Sequence, residues 1–201
     1  MMEAGLQIPL LSLLFSAVIS ENVALYYFLG ICPLISISGD LRASFNMGIT
    51  ASAVMLMTTA ANWAIYNLLL QPLSLEYLQL LFFILIIAAT VQFLELFLDR
   101  FFPSVYEMFG IFLPLITVNC AILGVSMFAV LREYSLAQSM VFAAGSGIGW
   151  CLVICIIASL RRRLDLTVIS AHLGKTGITM LIAAIIALAF SGVGELLTGG
   201  L

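Results

Sequence analysis

Residues 110–124 read GIFLPLITVNCAILG, an apolar run of membrane-helix character interrupted by Pro114, Asn119 and Cys120 and bounded by Gly110 and Gly124. Lipid cannot hydrogen-bond a freed backbone group. A helix breaker or polar side chain at membrane depth therefore persists only where it is buried in protein or lines a functional cavity. A matching irregular stretch stands near the start, SENVALYYFLGICP over 20–33, and it closes on Cys32. From Ile8 to Ile37 the chain is apolar apart from, chiefly, Glu21 and Asn22, which is too long for one straight crossing. That interval predicts a bent or half-spanning helix followed by a re-entrant loop. A soft, thiolate-forming side chain at each interruption suggests a buried metal or redox site.

Working outward, the rest of the chain offers nothing but membrane. Of 201 residues, 64% are hydrophobic and 8% charged, against about 25% charged in a soluble domain. Six runs are long and apolar enough to cross a bilayer, at about 9–30, 47–70, 77–98, 107–130, 138–160 and 175–197. No charged segment precedes the first, which is therefore expected to be a retained span rather than a cleaved signal. The expected fold is an all-α polytopic membrane protein, a single integral domain over 1–201.

With six spans both termini fall on one side. The loops 31–46, 99–106 and 161–174, with Lys175 at the edge of the last, hold Arg42, Arg100, Arg161, Arg162, Arg163 and Lys175, whereas the opposite side holds only Arg132. That bias predicts cytoplasmic loops and external termini. The Arg161–Arg163 cluster anchors this topology and also suits anionic lipid or a partner subunit.

Division near Asp99–Pro103 leaves three spans per half, about 1–99 and 100–201, and an odd number makes the halves antiparallel. Asn22-Val23-Ala24-Leu25 in the first half matches Asn119-Cys120-Ala121-Ile122 in the second. A rival register sets Gly30-Ile31 through Pro33-Leu34-Ile35 against Gly110-Ile111 through Pro114-Leu115-Ile116. Both pair the first helix with the fourth. The expectation is two inverted three-helix repeats with the first and fourth helices broken, an arrangement that brings functional groups to the bilayer midplane.

The chemical groups divide by setting. Cys151 and Cys155 lie one helical turn apart in a plain apolar span and read as small buried hydrophobes. Cys32 and Cys120 stand beside Gly, Pro and Asn, and read as metal ligands or as a disulfide. Two thiolates do not complete the four-sulfur shell of an iron–sulfur centre, and the single histidine, His172, lies in the basic loop. A metal reading therefore requires a partner chain supplying about two more thiolates. Among the acids, Glu21, beside Asn22, and Asn119 mark a possible ion path. Glu95 is placed to pair with Arg100, and Glu195 is placed at the interface. Small residues Gly145, Gly147, Gly149, Ala51, Ser52 and Ala53 read as close helix packing. The sequence holds no phosphate-binding loop, nucleotide fingerprint, zinc-protease motif or nucleophile elbow, so no complete active site is expected on this chain.

The motif GIFLPLITVNCAILG, with LDRFFPSVY over 98–106, SENVALYYFLGICP and REYSLAQSMVFAAGSGIGW over 132–150, resembles the NqrDE/RnfAE family of membrane subunits over essentially the whole chain. LDRFFPSVY, the Arg132-Glu133-Tyr134-Ser135 turn and GSGIGW are closer to the Nqr branch, of sodium-pumping NADH:quinone reductases, than to the Rnf branch, which shares the Cys120 motif. In that family two paralogous subunits of opposite membrane orientation share an iron centre, described as a [2Fe–2S] cluster, each giving two cysteines. The resemblance implies Cys32 and Cys120 as this chain's metal ligands and a paralogous partner supplying the rest. It further implies a six-subunit complex in a bacterial inner membrane, whose other members carry the flavins and the NADH and ubiquinone sites, and no nucleic acid. The chain would then relay electrons across the membrane. Two other classes stay open: an ion transporter in which Glu21 binds a cation, and a structural scaffold that holds no cofactor.

Overall fold

The computed structural model describes residues 9–73, 76–101, 113–164 and 170–198, and every regular element among the described residues is helical. Helix α1 (Leu10–Ser20) starts at Pro9 and widens over Ser16–Ser20 into a π turn, closed by the Glu21 N–H on the Ser16 carbonyl at 2.7 Å. Such turns interrupt the regular ladder and are frequent at functional sites. Turns carry the chain to Gly30, where the short α2 (Ile31–Ile37) begins. Pro33 fits there because the first turn of a helix has no internal partner for its missing N–H.

Helix α3 (Leu41–Leu70) is capped by Asp40, whose carboxylate accepts from the Arg42 N–H at 3.1 Å. Of its interior hydroxyls, Thr50, Ser52 and Thr58 donate back to carbonyls four residues earlier, whereas that of buried Thr59 has no partner. There follow α4 (Gln79–Phe101), α5 (Leu113–Thr117), α6 (Cys120–Leu131), α7 (Leu136–Leu164) and α8 (Ser170–Thr198), the last broken at Gly174. Three helices, Leu41–Leu70, Gln79–Phe101 and Leu136–Arg163, are long and apolar enough to cross a membrane, and Leu10–Ser20, Leu115–Leu131 and Thr176–Gly192 are shorter apolar helices. The expected runs 47–70, 77–98 and 138–160 fall in α3, α4 and α7, and 175–197 falls in α8. The run 9–30 covers α1 and the turns after it. The run 107–130 is divided at Val118-Asn119, and residues 107–112 lie outside the described residues, as does the 102–106 portion of LDRFFPSVY.

Helix α7 is the centre of the packing: 56% of its apolar window is buried, against 17% for α4, whose Leu81, Ile84, Leu85 and Phe93 face outward. Small residues set its neighbours. A Cβ at Gly145 would meet the Ala17 Cβ at 2.8 Å, and one at Gly149 would meet the Val18 carbonyl at 3.0 Å, so α1 lies almost backbone to backbone on α7. Gly147 faces Ser52, and Gly48 faces Cys151, which makes α3 antiparallel to α7 on another side. In a lipid setting such close approach and dispersion, rather than water exclusion, hold helices together. The shared core runs through both halves, from Met47, Ala51 and Met55 to Ile122, Trp150 and Ile154.

This pairing places Arg42 and Arg161–Arg163 at one end of the bundle and Arg132 at the other. Arg161 reaches across to α2, donating to the Ser38 hydroxyl at 2.7 Å and the Ile35 carbonyl at 3.0 Å, where the free carbonyls of a helix C terminus favour a cation.

Candidate functional site: two helix breaks meeting at Trp150

Both breaks are organised by an asparagine. Asn22, 1% exposed, donates its amide to the Val18 carbonyl at 2.9 Å, closing the end of α1, and accepts from the Ala24 N–H at 3.0 Å. Asn119, 3% exposed, caps α6 by accepting from the Ala121 N–H, also at 3.0 Å. The same asparagine-to-(i+2) contact thus occurs at both positions of the Asn22/Asn119 register. It satisfies a donor that the break sets free, where lipid offers none.

The breaks touch at Gly30. Its N–H donates to the Cys120 Sγ at 2.9 Å, a contact between residues 90 apart. Gly30 holds φ at +78°, the left-handed region, which a side chain makes costly. The space is also taken: a Cβ there would lie 2.6 Å from the Trp150 Nε1 and 3.0 Å from both the Asn119 Oδ1 and the Ala121 Cβ. Trp150 lies 14 residues from Leu136 and 14 from Leu164, about 21 Å of helix from either end of α7 at 1.5 Å per residue. The breaks therefore converge at the midpoint of the central helix.

Two donors at this point have no partner: the Trp150 Nε1, on a fully buried ring, and the Asn119 Nδ2. An unpartnered buried donor is costly and calls for a ligand or an electron-rich neighbour. Cys120 opens α6, where the helix dipole and free amide groups suit a negatively charged sulfur. Cys32, two residues beyond Gly30 in the first turn of α2, is exposed, Cys120 is half-buried, and both are free thiols. Among the described residues no group of three His, Cys, Asp or Glu side chains is placed to hold a metal. The two free thiols, both reachable, and the unpartnered donors beside Cys120 fit a thiolate-bound metal whose remaining ligands would come from outside the chain.

The remaining candidates lie elsewhere. Glu21 is ion-paired with Arg132, which also contacts the Tyr134 hydroxyl at 3.2 Å and the Tyr27 hydroxyl at 3.3 Å. The guanidinium lies 5.9 Å from the Phe128 ring centre and 5.7 Å from that of Phe142, within cation–π range. The hydrogen bond it donates to Glu21 raises the Arg132 pKa above the ordinary arginine value. Cys151 packs on Gly48 and, with Cys155, lines an apolar groove beside Phe45, Ile49 and Leu152, in keeping with small hydrophobes. The side chains of His172 and Glu195 lie outside the described residues. Sequence reading missed Gly30, Trp150 and the Arg132 clamp. Gly30, Trp150 and Arg132 each stood in a stretch the sequence singled out, but nothing local tied any of them to the breaks' meeting point or to Glu21.

Fold and site together define an all-helical membrane protein whose interrupted segments present free thiols at the middle of the bundle. A family model described as Rnf-Nqr subunit, membrane protein, matches residues 10–197, and the chain belongs to that family. It is 43% identical over 186 residues to a protein of Photorhabdus laumondii, covering 90% of this chain and 94% of that one, which is named as the E subunit of Na(+)-translocating NADH-quinone reductase. Proteins with the same name from Hahella chejuensis and Serratia proteamaculans are 42% and 43% identical over the same shares of each chain. The homologues are thus subunits of an oxidoreductase complex.

Proposed function

We propose that this chain acts as the E-type membrane subunit of a sodium-translocating NADH:ubiquinone reductase and relays electrons across a bacterial inner membrane. The relay runs through an iron centre, of the [2Fe–2S] kind, shared with a paralogous D subunit of opposite topology. Cys32 and Cys120 hold this chain's side of the centre, and the partner supplies the other two thiolates. The carrying observation is the Gly30–Cys120 contact, which joins the two cysteine-bearing breaks at mid-helix. When bound, the iron supplies a one-electron carrier between the flavins of neighbouring subunits in a six-subunit assembly. The chain itself seats the breaks on buried Trp150, Asn22 and Asn119, and the start of α6 suits a negatively charged Cys120 sulfur. Six spans in two inverted repeats, forming a single domain over 1–201, complete the reading. Periplasmic termini follow from the basic residues gathered at one end of α3 and α7.

The test is iron content and reduced-state EPR of the anaerobically purified assembly, wild type beside Cys120→Ser and Cys32→Ser. Each variant is expected to lose the iron signal and quinone reduction while NADH still reduces the entry flavin. A wild-type spectrum in both assembled variants would overturn the reading in favour of an ion transporter or scaffold.

A further inference from the structure

Resting on that reading, we infer that Gly30 is a positioning residue for the electron carrier: its backbone N–H holds the Cys120 sulfur and raises the reduction potential of the centre that sulfur ligates. Hydrogen bonds to cluster sulfurs are one of the few means by which a protein sets such potentials, because they stabilise the more negative, reduced form. Gly30, itself buried, supplies one at 2.9 Å. No bond is made or broken in this role, and the electron enters from and leaves to the neighbouring carriers.

Three observations make the position specific to glycine. The φ of +78° suits a residue without a Cβ. The indole nitrogen of Trp150 occupies the place that Cβ would take, at 2.6 Å, and Asn119 closes the other side at 3.0 Å. Those two walls come from α7 and from the α6 cap, so they fix the amide from two independent elements. Trp150 is 0% exposed and its ring cannot withdraw without opening the core. The unpartnered Nε1 and the unpartnered Asn119 Nδ2 add donors at the same point, an environment built for a negative group rather than for packing alone.

The first measurement needs no variant. In assembly labelled with 15N-glycine, pulsed EPR of the reduced centre is expected to show a peptide 15N coupling, and its absence overturns the proposal. Gly30→Ala is then expected to abolish that coupling. It should also lower the reduced-to-oxidised ratio at a fixed poise about ten-fold, equivalent to about 59 mV for a one-electron couple. Gly39→Ala, a glycine with nothing within 4 Å, should leave the potential unchanged. An iron-loaded Gly30→Ala assembly with the wild-type coupling and potential refutes the role. Should the alanine expel the iron, Gly30→Ala combined with Trp150→Phe removes the closest clash. Read against Trp150→Phe alone, which removes the indole donor but keeps Gly30, iron restored at a still lower potential supports the role, and iron restored at the potential of Trp150→Phe refutes it. A wild-type assembly with no iron signal at all instead sinks the shared-centre reading beneath it.

Discussion

Arg132 ties the first break to the far end of α6, and it does so as a single side chain that pairs with Glu21, touches two tyrosine hydroxyls and lies over two phenylalanine rings. The two charged side chains are 30% and 32% exposed, so their attraction is partly screened and their coupling is expected to be on the order of 1 kcal/mol. A double-mutant cycle of Glu21→Gln and Arg132→Gln, read by thermal denaturation of the detergent-solubilised assembly, measures it, and a coupling of zero would show the pair to be idle. Because the hydrogen bond to Glu21 raises the Arg132 pKa, the guanidinium stays charged at every pH up to the ordinary arginine range. Its contribution is lost only when pH rises above that range, so no transition near neutrality is expected from it. Hydropathy alone identified Glu21 as an acid within an apolar run. Its partner was not legible, because it lies 111 residues away and no local pattern links them. The asparagines were legible for the opposite reason: Asn22 and Asn119 each satisfy a backbone donor two residues on, so their role is written beside them.

At the scale of elements, the contact between α1 and α7 depends on absent side chains. A Cβ at Gly149 would meet the Asn22 Nδ2 at 2.8 Å and the Val18 carbonyl at 3.0 Å, the very pair whose hydrogen bond closes α1. Gly149→Ala is therefore expected to destabilise the assembly by about 1–3 kcal/mol through forced separation of the two helices. Gly192→Ala, on an exposed stretch of α8 with nothing within 4 Å, should instead be neutral or stabilise by up to about 1 kcal/mol, since alanine is the better helix former. Opposite signs in melting temperature bear this out, and equal effects refute it. The sequence marked Gly145, Gly147 and Gly149 as sites of close approach. It did not say to what, because alternate glycines on one helix serve different neighbours, α1 for Gly145 and Gly149 and α3 for Gly147. The breaks at 20–33 and at Asn119 were legible from polar residues and prolines in apolar runs. Their meeting at Gly30 was not, because a backbone amide and a thiol 90 residues apart leave no periodic trace.

For the whole molecule, orientation follows from which ends coincide. Since Gly48 faces Cys151 and Ser52 faces Gly147, the start of α3 and the end of α7 share one end of the bundle, and with them Arg42, Arg161, Arg162 and Arg163. The turn between α6 and α7, with Arg132, lies at the other. Arg132 is neutralised by Glu21 and counts for little toward the bias, which sharpens the contrast that sequence counting alone had drawn. The basic end is then expected to be cytoplasmic, and α8, which follows the basic end of α7 and packs along α1 and α7, runs away from it. A reporter at the C terminus is accordingly expected outside the cytoplasm. Alkaline phosphatase fused there should be active and a green fluorescent protein dark, whereas fusions within 161–169 should give the reverse. A bright fluorescent C terminus would invert the molecule in the membrane. On the proposed relay, Cys120, held beside the midpoint of α7, would keep its depth on inversion while the two ends of the bundle exchange sides. The reporter result therefore fixes which end of the bundle faces the cytoplasm, independently of any measurement on the iron.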